Sequence, residues 1–210
     1  MARINFINDQ YYHVYNRGTD KRQIFLDSSD YVRFIHYLYE FNGCKITSNF
    51  TRDIVEGRTF NMEQRDLLVE IIAFCLMPNH FHLILKQVKD GGITKFMRKL
   101  STGYAMYFNK RNKRNGVLFQ GKFKSILIEN DEYLAHLSRY IHINPFKSFN
   151  ADLRNYRWSS YLDYIGIKNF PSVISKKTIN SLFPTEIGYQ NFVNQFIASD
   201  QEKIHHLVLE

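Results

Sequence analysis

Residues 67–88 read LLVEIIAFCLMPNHFHLILKQV, and this stretch decides the fold. Hydrophobicity alone leaves 67–77 open to helix or strand. Pro78-Asn79 then marks a turn, and 80–88 (HFHLILKQV) alternates as a strand does. A hairpin of two strands satisfies both halves. Successive side chains on a strand point to opposite faces, so His80 and His82 share one face while Phe81, Leu83 and Leu85 share the other. The apolar face must pack on helices. The two histidines are therefore expected on a helix-free face.

The pattern extends outward from the hairpin. Residues 11–17 (YYHVYNR) read as a strand that stops at Gly18. Ser28, Ser29 and Asp30 offer caps to a helix with Phe34, Ile35, Leu38 and Phe41 on one side, ending near Asn42–Gly43. Residues 43–66 are mixed and polar, and are expected to be a loop or insert. Gly91-Gly92 open a helix over 93–110, with Ile93, Phe96, Met97, Leu100, Tyr104 and Tyr107 near helical spacing. Residues 117–128 (VLFQGKFKSILI) return to strand character, with a kink expected at Gly121. Asn130 or Asp131 caps a helix that runs to about Ile143, where Pro145 is expected to stop it.

Strand, helix, strand, strand, helix, strand is the split βαβ order. The fold class expected is α+β: a ferredoxin-like (RRM-like) antiparallel sheet with helices on one face, then the helix that carries Tyr140. Residues 1–149 form this main domain. Residues 150–210 are a mostly helical C-terminal extension, with helix around Trp158–Ile165 and Tyr189–Ile197.

Composition narrows the function. The chain of 210 residues is 44% hydrophobic and 23% charged, which is a globular balance able to bury a full core. No apolar run reaches ~18 residues, so no membrane span is expected. The opening MARINFINDQ lacks the apolar core of a signal peptide. Two cysteines, Cys44 and Cys75, exclude a disulfide framework and a Cys-rich zinc module. A reducing, cytoplasmic setting is expected. A net charge of +8 with 16% aromatic residues suits a nucleic acid whose unpaired bases stack on rings.

Candidate residues fall in three groups. Two neutral imidazoles ~7 Å apart on one strand can converge on one divalent ion; the plain alternative is a pair of core histidines. In 131–145 (DEYLAHLSRYIHINP), Leu134, Leu137 and Ile141 form an apolar stripe, and Tyr133, His136, Tyr140 and Asn144 fall along another face. A phenol with its ordinary pKa of ~10 is a weak nucleophile that needs a polarised target or a nearby base. Asn144 offers a carbonyl oxygen beside it, and its place before Pro145 is expected to put it at the helix end. The alternative there is a packing Tyr and a capping Asn. Residues 110–124 hold Lys110, Arg111, Lys113, Arg114, Lys122 and Lys124 with Phe119 and Phe123 interleaved, and Lys95, Arg98 and Lys99 precede them. They suit a phosphate backbone, or form a solvated charged hairpin.

Taken in order, YYHVYNRG, FCLMPNHFHLIL, GVLFQGKFKS, RYIHINP and YRWSSYLDY resemble the HUH single-strand endonucleases. The resemblance is closer to the IS200-like (Y1) transposases, and within them to the REP-associated tyrosine transposases; it covers roughly residues 11–165. It implies cleavage and rejoining of single-stranded DNA, often beside a hairpin, with Mg²⁺ or Mn²⁺. It implies His80 and His82 as metal ligands, Tyr140 as the nucleophile that forms a 5′-phosphotyrosine, and Asn144 as a third polar ligand. Compact members carry Gln at that last position and the REP-associated type carries Asn. Lys122 stands where many relatives have Arg. His136 is an accessory base or third histidine, whereas His142 points away from Tyr140. Tyr133 is the rival nucleophile. No P-loop is present, in keeping with rejoining that needs no ATP. Compact relatives act as dimers, so monomer and homodimer both stay open. Two other readings remain: a non-catalytic RRM-like nucleic-acid-binding protein, and a protein whose histidines hold a structural zinc.

Overall fold

The computed structural model describes residues 5–43 and 65–199. Cys44 and most of the expected insert at 43–66 lie outside the described residues. The main elements are β1 (Tyr11–Arg17), α1 (Ser28–Glu40), β2 (Val69–Met77), β3 (His80–Gln87), α2 (Gly92–Arg111), β4 (Lys124–Ile128) and α3 (Asp131–Phe149). The strands form one antiparallel sheet in the order β2-β3-β1-β4, the ferredoxin-like arrangement. Among the described residues no helix is long and apolar enough to cross a membrane.

The hairpin is as read. Phe81, Leu83 and Leu85 are fully buried on the face that α1 and α2 cover. Phe34 of α1 meets Phe81 at a ring distance of 5.1 Å, and Tyr104 of α2 meets Phe34 at 4.9 Å. A Cβ at Gly92 would sit 2.3 Å from the Leu68 carbonyl oxygen, so glycine is what lets α2 begin against the hairpin. The cap of α1 falls one residue earlier than expected: the Asp27 carboxylate accepts from Ser29 N. Strand character over 117–128 is confined to β4 and a single bridge between Phe119 and Gly18, with Gly121 at φ 73° between them.

Two expectations fail on α3. The second sheet face is not helix-free, because α3 lies over it against β2, β3 and β4. The near-continuous burial of β2 shows why: with both its faces apolar, both need cover. Pro145 also does not stop the helix, which continues to Phe149 and ends at Asn150 in the left-handed region (φ 52°). Proline inside a helix costs ~3 kcal/mol. Here Ile141, Ile143, Asn144 and Pro145 are all buried, and this packing offsets the lost backbone bond.

The extension adds α4 (Tyr161–Tyr164), α5 (Lys177–Leu182) and α6 (Glu186–Ser199). It closes the outer edge of β2. Leu76 N donates to Trp158 O (2.9 Å), Ser160 N to Phe74 O (3.0 Å) and Ser175 N to Ile71 O (2.8 Å). An edge strand with unpaired backbone groups is thus covered. Tyr161, Tyr164, Ile179, Tyr189 and Val193 join the same core as the sheet.

His142 ties the extension to α3. It is fully buried between Tyr189 OH (2.7 Å from Nδ1) and Ser160 Oγ (2.8 Å from Nε2). Tyr189 OH donates onward to Ser138 Oγ (3.1 Å), which donates to Ala135 O (2.8 Å). The donors run in one direction if His142 carries its proton on Nδ1 and accepts from Ser160 through Nε2. Tyr189→Phe removes the central link and strands the His142 N–H. It should lower stability by about 1–3 kcal/mol in urea unfolding. Tyr11→Phe, whose hydroxyl reaches Thr178 in a half-buried place, should cost less.

Candidate active site

The site is built on the sheet face that α3 covers. Register places His82 opposite Tyr15 on β1 and Cys75 on β2, and His80 opposite Arg17 and Met77. The His80 and His82 rings stand perpendicular with centroids 5.0 Å apart. Tyr140 comes down from α3 with its ring edge-on to His82 at 6.0 Å, and is 6% exposed. Asn144 follows one turn later on the same face of α3, equally buried, and its Nδ2 has no hydrogen-bond partner. Asn144 thus lies within the helix, not at the expected end of it.

The His82 imidazole is in the right protonation state to act as a ligand. Burial, with His13 and His80 adding to it, pushes the His82 pKa well below its ordinary value, so the ring is neutral at pH 7. His80 Nδ1 lies 2.6 Å from Asn79 Oδ1, which can only accept. His80 therefore carries a proton on Nδ1, which leaves Nε2 as the nitrogen that a neutral ring would offer to an ion. This outer hydrogen bond is the usual way in which a ligating histidine is held. No trio of His, Cys, Asp and Glu among the described residues is arranged to hold a metal by itself. The donor set that fits is two imidazoles plus the carbonyl oxygen of the Asn144 amide. It is an open set of neutral donors, unlike a closed structural zinc site.

Several neighbours were not singled out in the sequence. His13 Nε2 lies 2.9 Å from His82 Nδ1, and Tyr15 stacks on His13 at 4.8 Å. Arg17 is on the same face, with its guanidinium bonded to Gln120. Lys147 Nζ sits 5.3 Å from the Tyr140 ring centroid, and burial lowers its pKa. The signal for the first three was available: YYHVYNR alternates, so Tyr11, His13, Tyr15 and Arg17 share a face. Lys147 lies seven positions after Tyr140, two helical turns on.

The other expected residues are dispersed. Tyr133 is half-buried; its hydroxyl has no partner, and burial raises its pKa, with Tyr15 and Glu129 adding to the rise. His136 sits in the seam between α3 and α6, with Arg139 Nη2 2.7 Å from its Nδ1 and Phe192 5.8 Å from its ring. Lys124 is opposite Tyr15 and so belongs to the His82 face; Lys122 is exposed just before it. Lys95 and Arg98 are exposed on α2, in the layer beyond the opposite face. Lys110 and Lys113 are exposed at the end of α2, and Lys99 donates to Gly43 O (3.2 Å). Arg114 bonds Asn109 Oδ1 (2.9 Å). Arg111 is clamped by Asp27 and the buried Asp30.

Comparison with known proteins agrees with this geometry. Residues 57–144 match the family model described as Transposase IS200 like, a span that holds His80, His82, Tyr140 and Asn144. Over that span the chain is similar to the IS200-like transposases. Its likeness within that group is to the REP-associated tyrosine transposases. A Haemophilus influenzae protein assigned to that type is 27% identical over 103 residues, 44% of this chain. The match spans only 58% of that relative's length. A solved REP-associated tyrosine transposase bound to a REP hairpin shares the fold at TM-score 0.56 and 18% identity, covering 81% of this chain and 88% of that one.

The Arg111 clamp makes a stability prediction. Hydrogen bonding to Arg111 holds the Asp27 carboxyl down at about 2. The folded value is below the unfolded one of 3.8, so this stabilisation is full above that pH and fades as pH falls through about 2. Arg111→Gln should lower the melting temperature by a few degrees at pH 7. The gap to wild type should narrow below about pH 4 in differential scanning fluorimetry.

Proposed function

We propose that this chain is a metal-dependent nickase and strand transferase of single-stranded DNA, with Tyr140 as nucleophile. The observation that carries this reading is the Tyr140 ring, delivered by α3 to within 6.0 Å of the His82 ring. His80, His82 and Asn144 are the residues that would hold the ion. Mg²⁺ or Mn²⁺ bound there supplies Lewis-acid polarisation of a non-bridging phosphate oxygen. The Tyr140 oxygen forms the new bond to phosphorus as the bond to the 3′ oxygen breaks. The phenolic proton leaves to solvent and the 3′ oxygen takes one up. The products are a 5′-phosphotyrosyl chain and a free 3′-hydroxyl, and attack by a 3′-hydroxyl on the adduct reverses the step. The Lys147 ammonium balances negative charge as it develops at the phenol.

The substrate proposed is a single strand beside a hairpin, since the relative of shared fold holds a REP hairpin. Lys122 and Lys124 are the cations assigned to its phosphates. The histidines and the tyrosine come from one chain, so this chemistry needs no second copy. An RRM-like binder stacks bases on its open sheet face. Here α3 covers that face, which weighs against the binding-only reading.

The test is incubation with a labelled hairpin-flanked oligonucleotide from the chain's own genomic surroundings. Wild type should form a covalent adduct in Mg²⁺ or Mn²⁺ and none in EDTA. Tyr140→Phe should bind the oligonucleotide and form no adduct, while Tyr133→Phe still forms one. Mass spectrometry placing the nucleotide on the Tyr133 peptide, or full adduct yield from Tyr140→Phe, would overturn the assignment. Lys124→Gln should weaken binding and reduce the slope of log affinity against log salt by about 1. Anisotropy titrations at several salt concentrations measure that slope.

A further inference from the structure

We propose that His13 is a positioning residue: its ring nitrogen fixes the His82 tautomer that can take a metal ion. This role rests on the metal reading above and deepens it. His13 is 1% exposed in the middle of β1, and its Nε2 faces His82 Nδ1 at 2.9 Å. The rings are nearly parallel, 19° apart in plane. Tyr15 stacks against both, so neither ring is placed to turn away.

A neutral imidazole carries one N–H, and the contact between the rings holds one hydrogen. That leaves two arrangements. In the first, His13 Nε2–H donates to His82 Nδ1; His82 then has its own proton on Nε2 and no lone pair to offer an ion. In the second, His82 Nδ1–H donates to His13 Nε2. His82 Nε2 then carries a lone pair, and the His13 proton moves to Nδ1. That Nδ1 is buried without a hydrogen-bond partner. An ion at His82 selects the second arrangement, and each ring changes tautomer as it binds.

Outer partners of ligating histidines are commonly carboxylates or carbonyls. A neutral imidazole in that place keeps negative charge away from the ion, so more of the ion's charge remains for a phosphate oxygen. It also makes His82 depend on one specific acceptor. Without it, the His82 Nδ1–H itself would be left unpaired in the ligating tautomer; with it, the unpaired N–H is moved one ring outward, to His13 Nδ1. This accounts for a fully buried histidine on β1 that neither the apolar core nor the nucleophile needs.

The test uses the whole chain and Mn²⁺ alone, read by electron paramagnetic resonance titration. Loss of an outer partner of a metal ligand weakens affinity about 10–100-fold. His13→Phe keeps a ring in the stack and should show that loss, with adduct formation recovered at saturating Mn²⁺. His13→Gln restores an acceptor and should recover much of the affinity. Unchanged affinity in His13→Phe would overturn the role of His13 and leave the nuclease reading standing. Wild type without Mn²⁺ binding would remove both. A measurement on wild type guards against a variant that does not fold. Imidazole ¹⁵N spectra in Mg²⁺ should show His13 protonated on Nδ1 and His82 on Nδ1; His13 protonated on Nε2 would refute the proposal.

Discussion

The packing of α3 across the His82 face of the sheet sets the position of Tyr140, and most of the molecule is arranged to hold it. Leu134, Leu137, Ile141 and Ile143 are buried beneath it. On its far side Arg139 lies over the rings of Phe192 (4.3 Å) and Phe196 (4.8 Å) of α6, and His142 bonds to Tyr189 and Ser160. The helix is gripped on two sides along several turns. A side chain held this way has little freedom left to lose, and pre-set orientation of this kind is what favours a reaction in the proposed role of Tyr140. The helix keeps Pro145 within its buried stretch for the same reason: ending it there would expose Ile143 and Asn144.

Burying imidazoles in a sheet is costly unless they find partners. His80 uses Asn79, and His13 and His82 use each other. His13, held down at about 3, and His82 are both kept neutral by burial. They therefore act as donors and acceptors of hydrogen bonds, not as cations. The positive charge of the region comes from residues at its margin: Arg17, Lys124 and Lys147. Neutral polar groups at the centre with positive charge at the rim are an arrangement that suits an anionic ligand held at its edges.

Local pattern carried the hairpin, the ferredoxin-like order and the shared face of His80 and His82, because a period of two needs no tertiary information. It also carried the shared helix face of Tyr140 and Asn144. What it missed depends on distant contacts. The cover of α3 was implied by the apolar continuity of β2, but a buried hairpin does not say which element buries it. Arg111 read as a phosphate contact because Asp27 and Asp30 are remote in sequence. His136 read as an accessory base because its helix face was counted without α6, whose Phe192 it meets. His13 is legible by the same rule: β1 alternates, so His13 falls on the face of Tyr15 and Arg17, the residues that stand opposite His82 and His80 in register.

The division of the basic residues between two layers constrains any strand engaged at the site. Lys95 and Arg98 belong to α2, which packs on the Phe81 side through α1, while Tyr140 lies on the opposite side. A sheet one residue thick separates them, and its buried core leaves no path through. Arg17 and Lys124 lie on the Tyr140 side, at the β1–β4 margin, so these are the sheet cations on the same side as the tyrosine. The other margin is closed, since residues 158–160 and Ser175 bond along the free edge of β2. The extension thus does two things from one position. It completes the core behind α3, and it covers the β2 margin of the sheet, with β4 at the other margin.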